Sequence, residues 1–522
     1  MTTQPQDDQF RPRGSVDPSS ALLPYRGPWS PRLAAHLLRR AGFGGSPAEI
    51  DAAANAGMDA SVSRLLDPQP DSLPPSPQGD LTYGPMAPPD QRRDAYLRAA
   101  SWWVDRMLQT PNPLVERMTY FWHNHFTSAV QGGITPAMMV VQNQLFRSNA
   151  LANYADLTHK VARDPAMLVY LNGNQNRSQH PNENFARELM ELFSMGVGNY
   201  SEQDVRESAR AFTGWIVPRD GMSARFIDRF HDAGSKTFLG HTGTFAGDDI
   251  IDIIMGQPAT AQFMARKFLR NFVYDDPEPE LVDATASHFR DSKYDVADLL
   301  NTVLRSNVFY SDRAYRSIVK SPVDLVVGSL RTVGVTKSTP RVVVAMNGMD
   351  QVLLRPPNVA GWPGGSQWLN QGTILARLNF LNQLVSFRAA TPDASASTAS
   401  TGMASTGMSG GAMTGGSATG SSTAPSTGTP TKSRQLLQAM PATAGPLAWL
   451  GGVSETDPSA VAARVLDLTV QNDATDEQRQ SIVGFLTTDG VGNPVELNGE
   501  NIDEKVRGAM SLAMALPAYQ LE

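Results

Sequence analysis

The chain has 522 residues, of which 41% are hydrophobic and 18% are charged, so it is long enough to bury one large core or several ordinary ones. Its 44 basic and 51 acidic residues give a net charge of -7, and no run of lysine or arginine is suited to follow a phosphate backbone. Nucleic acid is therefore not an expected partner. The absence of cysteine excludes disulfides, thiolate metal sites and a cysteine nucleophile.

The beginning of the sequence has no targeting features. Residues 1–28 contain no apolar run of the signal-peptide type, and we expect them to form a flexible segment. No stretch of the sequence is long and apolar enough to span a bilayer. A soluble cytoplasmic protein is the expectation from these observations.

Helix capping signals are clear at two places. Ser46 is suited to cap a helix, Pro47 to occupy its first position and Glu49 to complete a capping box, before Gly57 ends the segment. Ser201 begins a second segment of the same type, with acidic residues in its first turn. Both segments are predicted to be helices.

The predicted main body covers residues 29–388. Apolar residues recur there with helical periodicity, whereas strand-like alternation is confined to short pieces. The sequence therefore predicts a mainly α fold, a large multi-helix body that forms a single domain. Long irregular loops and a small β-hairpin near residues 224–240 complete the prediction.

Residues 389–431 have a different composition, nearly uncharged and rich in Ser, Thr, Gly and Met. Such a segment cannot bury enough apolar surface to offset its ordering entropy, so it is predicted to be a disordered insertion. Met403, Met408 and Met413 recur every five residues, which fits either soft-metal ligation or a degenerate repeat in a linker. In residues 432–522 the apolar residues again recur with helical periodicity, and we expect these amphipathic helices to pack on the main body.

Several motifs occur in an order that resembles one known family. They are "HLLRRAGFGGSPAEI", "FWHNHFTS", "NENFARELMELFSMG", "RFHDAGSKTFLG", "KSPVDLVVGSLR" and "PPNVAGWPGG". Together they resemble the bacterial domain-of-unknown-function 1800 family over about residues 29–522, apart from the insertion. Phe193 departs from the family pattern, because many members have histidine there.

The resemblance implies no activity, since none is established for the family. It does imply export in many relatives, and a neighbouring gene for a protein similar to the alkaline phosphatase and sulfatase superfamily. A sulfatase-like partner is therefore expected. Export together with a signal-bearing partner is the alternative to cytoplasmic residence.

One predicted helix places two carboxylates, Glu188 and Glu191, a single turn apart. At 100° per residue they share a stripe with Asn184 at the edge of the apolar face. Arg187 lies four residues from both Glu183 and Glu191, which predicts ion pairs of roughly 0.3–0.5 kcal/mol. Glu188 has no local partner, so a distant Arg, His or bound cation is expected to balance it.

His125 lies on the apolar stripe of another predicted helix and should point inward, whereas His123 falls on the opposite side. One interpretation is a buried neutral histidine that is hydrogen-bonded to a carboxylate or carbonyl. The other places His125 with Glu188 and Glu191 as ligands of a divalent metal ion, although their spacing is no recognised metal signature.

Two loops supply further candidates. His231 and Asp232 fall in a predicted turn, which is either structural or suited to proton transfer. Trp362 and Trp368 lie in a loop rich in Pro and Gly. Their rings would either form an aromatic platform for a ligand or lock the loop onto the core.

Two functions of different classes remain. The favoured one is a soluble binding or assembly protein with an internal polar Glu/His/Arg cluster, because no reaction signature is present. The alternative is a metal-assisted hydrolase or other acid-base enzyme. The candidate residues are Glu188 and His231 for catalysis, Asn184, Arg187, Trp362 and Trp368 for binding, and His125, Glu188 and Glu191 for a metal.

The composition of residues 389–431 generates a first prediction. Limited proteolysis should cut there first and leave the two fragments associated, because a flexible segment between helical regions is the most accessible part of a chain. Deleting the segment should leave Tm almost unchanged, since loop-closure entropy depends only weakly on length. Resistance of the whole segment to protease would contradict the prediction.

Overall fold

The structure is a computed structural model that describes residues 17–386 and 440–522. Within these residues it has 22 α-helices and two small antiparallel sheets, which confirms the predicted mainly α fold. No helix in the described part is both long and apolar enough to cross a membrane. The predicted insertion at 389–431 lies outside the described residues.

The first nine helices occupy residues 18–170, and many begin with proline, whose fixed φ suits the first helical position. They are α1 (Pro18–Ala21), α2 (Pro31–Arg40), α3 (Pro47–Ala56), α4 (Met58–Leu66), α5 (Pro89–Gln109), α6 (Pro113–His125), α7 (Pro136–Ser148), α8 (Tyr154–Val161) and α9 (Pro165–Tyr170). The capping box of Ser46 and Glu49 forms at the start of α3 as predicted.

The middle of the chain begins with α10 (Asn184–Glu188), which continues directly into a π-helix, Leu189–Ser194. The helices that follow are α11 (Glu202–Ala211), α12 (Gly247–Met255), α13 (Pro258–Phe272), α14 (Pro279–Asp291) and α15 (Val296–Arg305). Ser201 caps α11 in a capping box with Asp204. The remaining helices are α16 (Pro322–Thr332), α17 (Pro340–Asn347), α18 (Gln371–Ser386), α19 (Pro446–Leu450), α20 (Pro458–Val470), α21 (Asp476–Thr487) and α22 (Ile502–Ala515).

Two short antiparallel sheets lie around the predicted hairpin. They consist of β1 (Trp215–Ile216) with β2 (Arg225–Phe226), and of β3 (Lys236–Phe238) with β4 (His241–Gly243). The two strand-like pieces near 224–240 thus form strands, but each pairs with a neighbour rather than with the other. A 3-10 turn, Asp228–Phe230, separates them.

The apolar side chains form two adjoining hydrophobic clusters, and α6 contributes to both. Met118 and Trp122 of α6 belong to the first cluster, which also includes residues of α2, α8 and α10–α15. Tyr120 belongs to the second, which is built from α5, α7 and the helices from α16 onward. His123, predicted to lie opposite the interior, is only 1% exposed because α6 is packed on almost every side.

Helices on both sides of residues 387–439 share the second cluster. Leu381 and Val385 of α18 and Met510 of α22 are buried in it. Arg507 of α22 also donates to the Val385 carbonyl at 2.6 Å. The helices after residue 440 therefore pack on the earlier part of the chain.

A buried ion cluster joins α6 to α16 and to Glu522. Arg117 is 2% exposed, and its guanidinium donates to Asp324 and, at 3.0 Å, to Glu522 Oε1. The backbone of Glu522 is held in turn, because its N–H donates to the Ile318 carbonyl at 2.9 Å. Burial alone would lower the pKa of Arg117, but the two carboxylates more than offset it and raise the pKa.

This cluster generates a second prediction. Arg117→Met should lower the free energy of unfolding by about 3–5 kcal/mol, because it leaves two buried carboxylates without their cation. Urea unfolding measures the change. Arg64→Met is the control, since Arg64 is exposed and its loss should cost no more than about 0.5 kcal/mol. Equal small losses for both variants would contradict the prediction.

Candidate functional site

Glu188 lies at the end of α10 and is half-buried. Within the described part of the chain its carboxylate forms no ion pair or hydrogen bond. Burial is the larger reason that its pKa is raised and the nearby Glu191 carboxylate is the next, whereas Arg187 opposes the shift. The distant cation that the sequence led us to expect is therefore absent among the described residues.

The predicted Arg187–Glu191 ion pair is replaced by other contacts. Arg187 donates to Glu183 at 3.1 Å and to Glu202 of α11 at 2.8 Å. Glu191 accepts a hydrogen bond from the Tyr200 hydroxyl at 2.7 Å instead. The 100° spacing assumed for this segment is wrong beyond Glu188, because the helix widens there into the π form.

Two of the last carbonyl groups of the π-helix accept hydrogen bonds from side chains that are distant in the sequence. The Met195 N–H donates five residues back to the Met190 carbonyl at 2.9 Å, the bond that defines the wider turn. Leu192 O accepts from Lys267 Nζ of α13 at 3.0 Å, and Phe193 O accepts from the Tyr154 hydroxyl. A cation at a helix C-terminus is favourable for the helix dipole.

Lys267 also contacts His125, with its Nζ 3.0 Å from His125 Nδ1. When Lys267 is protonated its ammonium group can only donate, so Nδ1 then accepts and the ring proton of the neutral imidazole lies on Nε2. Burial lowers the pKa of Lys267 to about 7. Burial, and then the charge of Lys267, lower the pKa of His125 well below its ordinary value, so this histidine is neutral.

The rings around His125 explain its burial. It is 3% exposed and stacks on Phe121, with the rings of Phe126 and Phe193 against its other sides. Phe193, where the family resemblance led us to expect histidine, therefore lies at this site. His125 does reach the helix that carries Glu188, but on its Leu192–Phe193 side.

A first cavity, of about 520 Å³, adjoins the Lys267–His125 pair. Its walls come from α6, α13, the start of α16, the loop 360–368 and Glu522. The charged, amide and imidazole side chains of its lining are Arg117, Asn124, His125, Lys267, Arg270, Asn271, Asp275, Asp324, Gln367 and Glu522.

Four residues that line the first cavity carry a buried nitrogen without a hydrogen-bond partner among the described residues. The atoms are Arg117 Nε, His125 Nε2, Asn271 Nδ2 and Trp362 Nε1. The first, third and fourth can only donate, and His125 Nε2 donates in the tautomer derived above. Residues of the cavity wall therefore carry four buried donor nitrogens that have no partner among the described residues.

The two candidate tryptophans both line this cavity but offer no open platform. Trp362 and Trp368 are 5% and 4% exposed and belong to the second hydrophobic cluster. Trp362 stacks on Tyr120 at 5.9 Å between ring centroids, and its backbone N–H donates to Asn124 at 2.7 Å. A face of Trp362 therefore packs against protein, and both rings are almost inaccessible.

His231 lies in a well-bonded turn. Its Nδ1 is 3.0 Å from the Thr213 carbonyl, and the neighbouring Asp232 pairs with Arg210 at 2.7 Å. Lys236 Nζ donates to the Asp232 carbonyl at 2.6 Å. Among the described residues, no hydrogen bond or ring contact joins His231 to His125 or Glu188. These contacts hold the turn before β3.

The structure does not bring the proposed metal ligands together. Across residues 17–386 and 440–522, no group of three or more His, Asp or Glu is arranged to hold a metal ion, which includes the set of His125, Glu188 and Glu191. Asn184, proposed for binding, is exposed beside Glu188.

The fold and site define a mainly α protein with a polar cavity beside a half-buried lysine that contacts a buried histidine. The model of the family described as "Protein of unknown function (DUF1800)" matches residues 36–521, so the chain belongs to this family, as the resemblance indicated. No curated protein and no solved structure gives a significant match.

The sequence did not point to Lys267 or Arg117. Lys267 lies in an amphipathic helix, where a lysine ordinarily marks the solvated side. Arg117 shared a helical stripe with Leu114 and Phe121, and an arginine on an apolar stripe is the signal that would have indicated a buried ion cluster.

The position of Glu188 generates a third prediction. Its pKa is raised above the ordinary 4.5, so its contribution to stability is lost as the pH rises through the raised value. Glutamine does not ionise, so Glu188→Gln removes this fall in stability with pH. At pH 7 we expect the free energy of unfolding of the variant to equal that of wild type or to exceed it by up to about 0.5 kcal/mol.

Urea unfolding at pH 4 and pH 7 tests this expectation, with the exposed Glu496→Gln as control. If Glu188 belonged to a buried ion pair, as the sequence suggested, Glu188→Gln would instead lower the free energy of unfolding by about 3–5 kcal/mol. A loss of that size would show that a cation does balance Glu188.

Proposed function

We propose that the protein binds a small ligand rich in hydrogen-bond acceptors in the first cavity, with an anionic oxygen group of the ligand beside Lys267. The observation that carries the proposal is the environment of Lys267. Lys267 lines the cavity, and its Nζ contacts an imidazole, a carbonyl and the ring of Phe263, but no carboxylate among the described residues.

The other charged side chains of the cavity lie near one another, two cations, Arg117 and Arg270, with three carboxylates, Asp275, Asp324 and Glu522. Arg117 is compensated by Asp324 and Glu522. Burial raises the pKa of Asp275, and the charges of Arg270 and Arg40 offset only part of that rise. Lys267 contacts none of these carboxylates among the described residues, so an anionic oxygen of a ligand would meet its charge directly.

The unpartnered nitrogens of the cavity support the same class of ligand. A buried N–H without a partner costs about 1–3 kcal/mol, and a ligand oxygen would recover part of that cost. His125 Nε2, Asn271 Nδ2 and Trp362 Nε1 lie on residues from three separate walls. The volume of about 520 Å³ falls within the range of roughly 300–1,000 Å³ that is typical of small-molecule sites.

An acid-base enzyme is the second candidate, and one observation favours it. A lysine whose pKa is near 7 is suited to exchange a proton with a bound ligand at neutral pH. Such a reaction would centre on Lys267 rather than on Glu188 or His231. A substrate whose turnover is lost in Lys267→Met, with binding retained, would support this candidate.

The family resemblance adds a proposal about partners and location. Association with a sulfatase-like protein, and export with a signal-bearing partner instead of cytoplasmic residence, both stay predictions. Co-purification from cells that express both proteins, followed by fractionation, tests them.

The proposed ligand class generates a fourth prediction. Glycolate, lactate and gluconate stay ionised between pH 6.5 and pH 8.5, whereas the protonated fraction of Lys267 falls about 25-fold over that range for a pKa of about 7. We expect the affinity of any acid that binds to fall by up to this factor, as measured by calorimetry at constant ionic strength. The matching amides should bind at least about tenfold more weakly at pH 6.5.

Lys267→Met tests the assignment, and the exposed Lys337→Met is the matched control. Binding should be lost in the first variant and retained in the second. Acids that bind equally well to both variants, or with no pH dependence, would show that Lys267 does not hold the ligand. No binding by any of the acids to wild type would contradict the proposed ligand class.

A further inference from the structure

A second cavity, of about 600 Å³, lies between the start of α5, the segment 130–136 and the end of α17. None of its lining residues also lines the first cavity. Its volume again falls within the range of small-molecule sites, roughly 300–1,000 Å³.

The charge of this cavity differs from that of the whole protein. Arg92, Arg93 and Arg355 line it, and in the described residues no Asp or Glu does so. The chain as a whole has a net charge of -7. A concave surface with a single sign of charge concentrates its electric field, so this cavity attracts anions.

None of these three arginines forms an ion pair or a side-chain hydrogen bond within the described part of the chain, and all three are exposed. Other arginines of α5 are paired, since Arg98 contacts Asp94 at 2.9 Å and Arg106 contacts Asp71. The planar guanidinium presents N–H groups in a fork that matches phosphate and carboxylate oxygens.

Arg92 and Arg93 are the fourth and fifth residues of α5, near the positive end of its helix dipole. Cations are unfavourable there, whereas a bound anion is stabilised by both the dipole and the side chains. Arg355 approaches from another part of the chain and lies near enough to the Tyr96 hydroxyl to act on its pKa. Guanidinium groups from two separate segments therefore face one cavity.

The remaining lining is largely apolar and aromatic. Tyr83, Leu97, Val130 and Ile134 contribute to it, together with Tyr96. The Tyr96 hydroxyl is buried, and the Asn347 side chain, which also lines the cavity, lies near enough to act on its pKa as a hydrogen-bond partner. Burial raises the pKa of Tyr96 to about 12, so the hydroxyl keeps its proton and can donate it in a hydrogen bond.

We propose that the second cavity binds a small organic oxyanion, with Arg92, Arg93 and Arg355 holding the oxyanion and the tyrosine and aliphatic walls holding an apolar body. Inorganic phosphate would satisfy only the arginines. A phosphate monoester or carboxylate on a ring would satisfy both parts of the lining. The proposal does not depend on the ligand of the first cavity.

Calorimetric titration with phenyl phosphate, benzoate and inorganic phosphate tests the proposal at constant ionic strength. We expect phenyl phosphate or benzoate to bind at least about tenfold more tightly than inorganic phosphate, because only they bury an apolar ring. Arg93→Gln and Arg355→Gln should each weaken that binding about tenfold or more. Tyr96→Phe should weaken it by a smaller factor.

Arg266→Gln is the matched control, because Arg266 is also exposed and has no ion pair among the described residues, but does not line the cavity. It should change the affinity less than about twofold. Lys267→Met should also leave this binding unchanged, which separates the two cavities. Thermal unfolding of each variant shows that its fold is intact.

Three results would overturn the proposal. The first is no saturable binding of any probe at about 10 mM. The second is an equal loss in Arg266→Gln and Arg93→Gln, which would indicate a general charge effect. The third is inorganic phosphate binding as tightly as phenyl phosphate, which would leave the apolar walls without a role.

Discussion

The buried guanidinium of Arg117 is the constraint on which most of this structure depends. A charge removed from water must be paired, and the partners of Arg117, Asp324 and Glu522, are 207 and 405 residues away in the sequence. α6 can therefore lie between the two hydrophobic clusters only if both distant segments reach it. The same three side chains form part of the wall of the first cavity, so the pairing that joins the clusters also shapes the site.

Features that depend on a few neighbouring residues could be predicted from the sequence. The capping boxes at Ser46 and Ser201 form as expected, because each needs only a side chain and an N–H three residues apart. Glu188 shows where local rules fail. Its position was derived from regular α-helical spacing. The chain leaves that spacing at Leu189, where the π-helix begins. No nearby residue in the sequence predicts this wider turn.

The candidate site could be predicted only in part, for a related reason. The apolar stripe of α6 correctly placed His125 in the interior, since periodicity reports burial. It could not identify the partner, because Lys267 is 142 residues away and occupies a helix edge that resembles a solvated one. A cavity is formed by segments that meet only in the folded chain, so its lining has no signature in any one of them.

The end of the π-helix and the position of Lys267 share one contact. A helix end leaves carbonyls without partners, and Lys267 satisfies Leu192 O while Tyr154 satisfies Phe193 O. The surroundings of this amine are unfavourable for its charged form, because desolvation lowers its pKa to about 7. Proteins retain destabilising groups of this kind mainly at functional sites. Because the hydrogen bond that completes the helix end also holds Lys267 against His125, the helix end, the histidine and the cavity wall form a single structural unit.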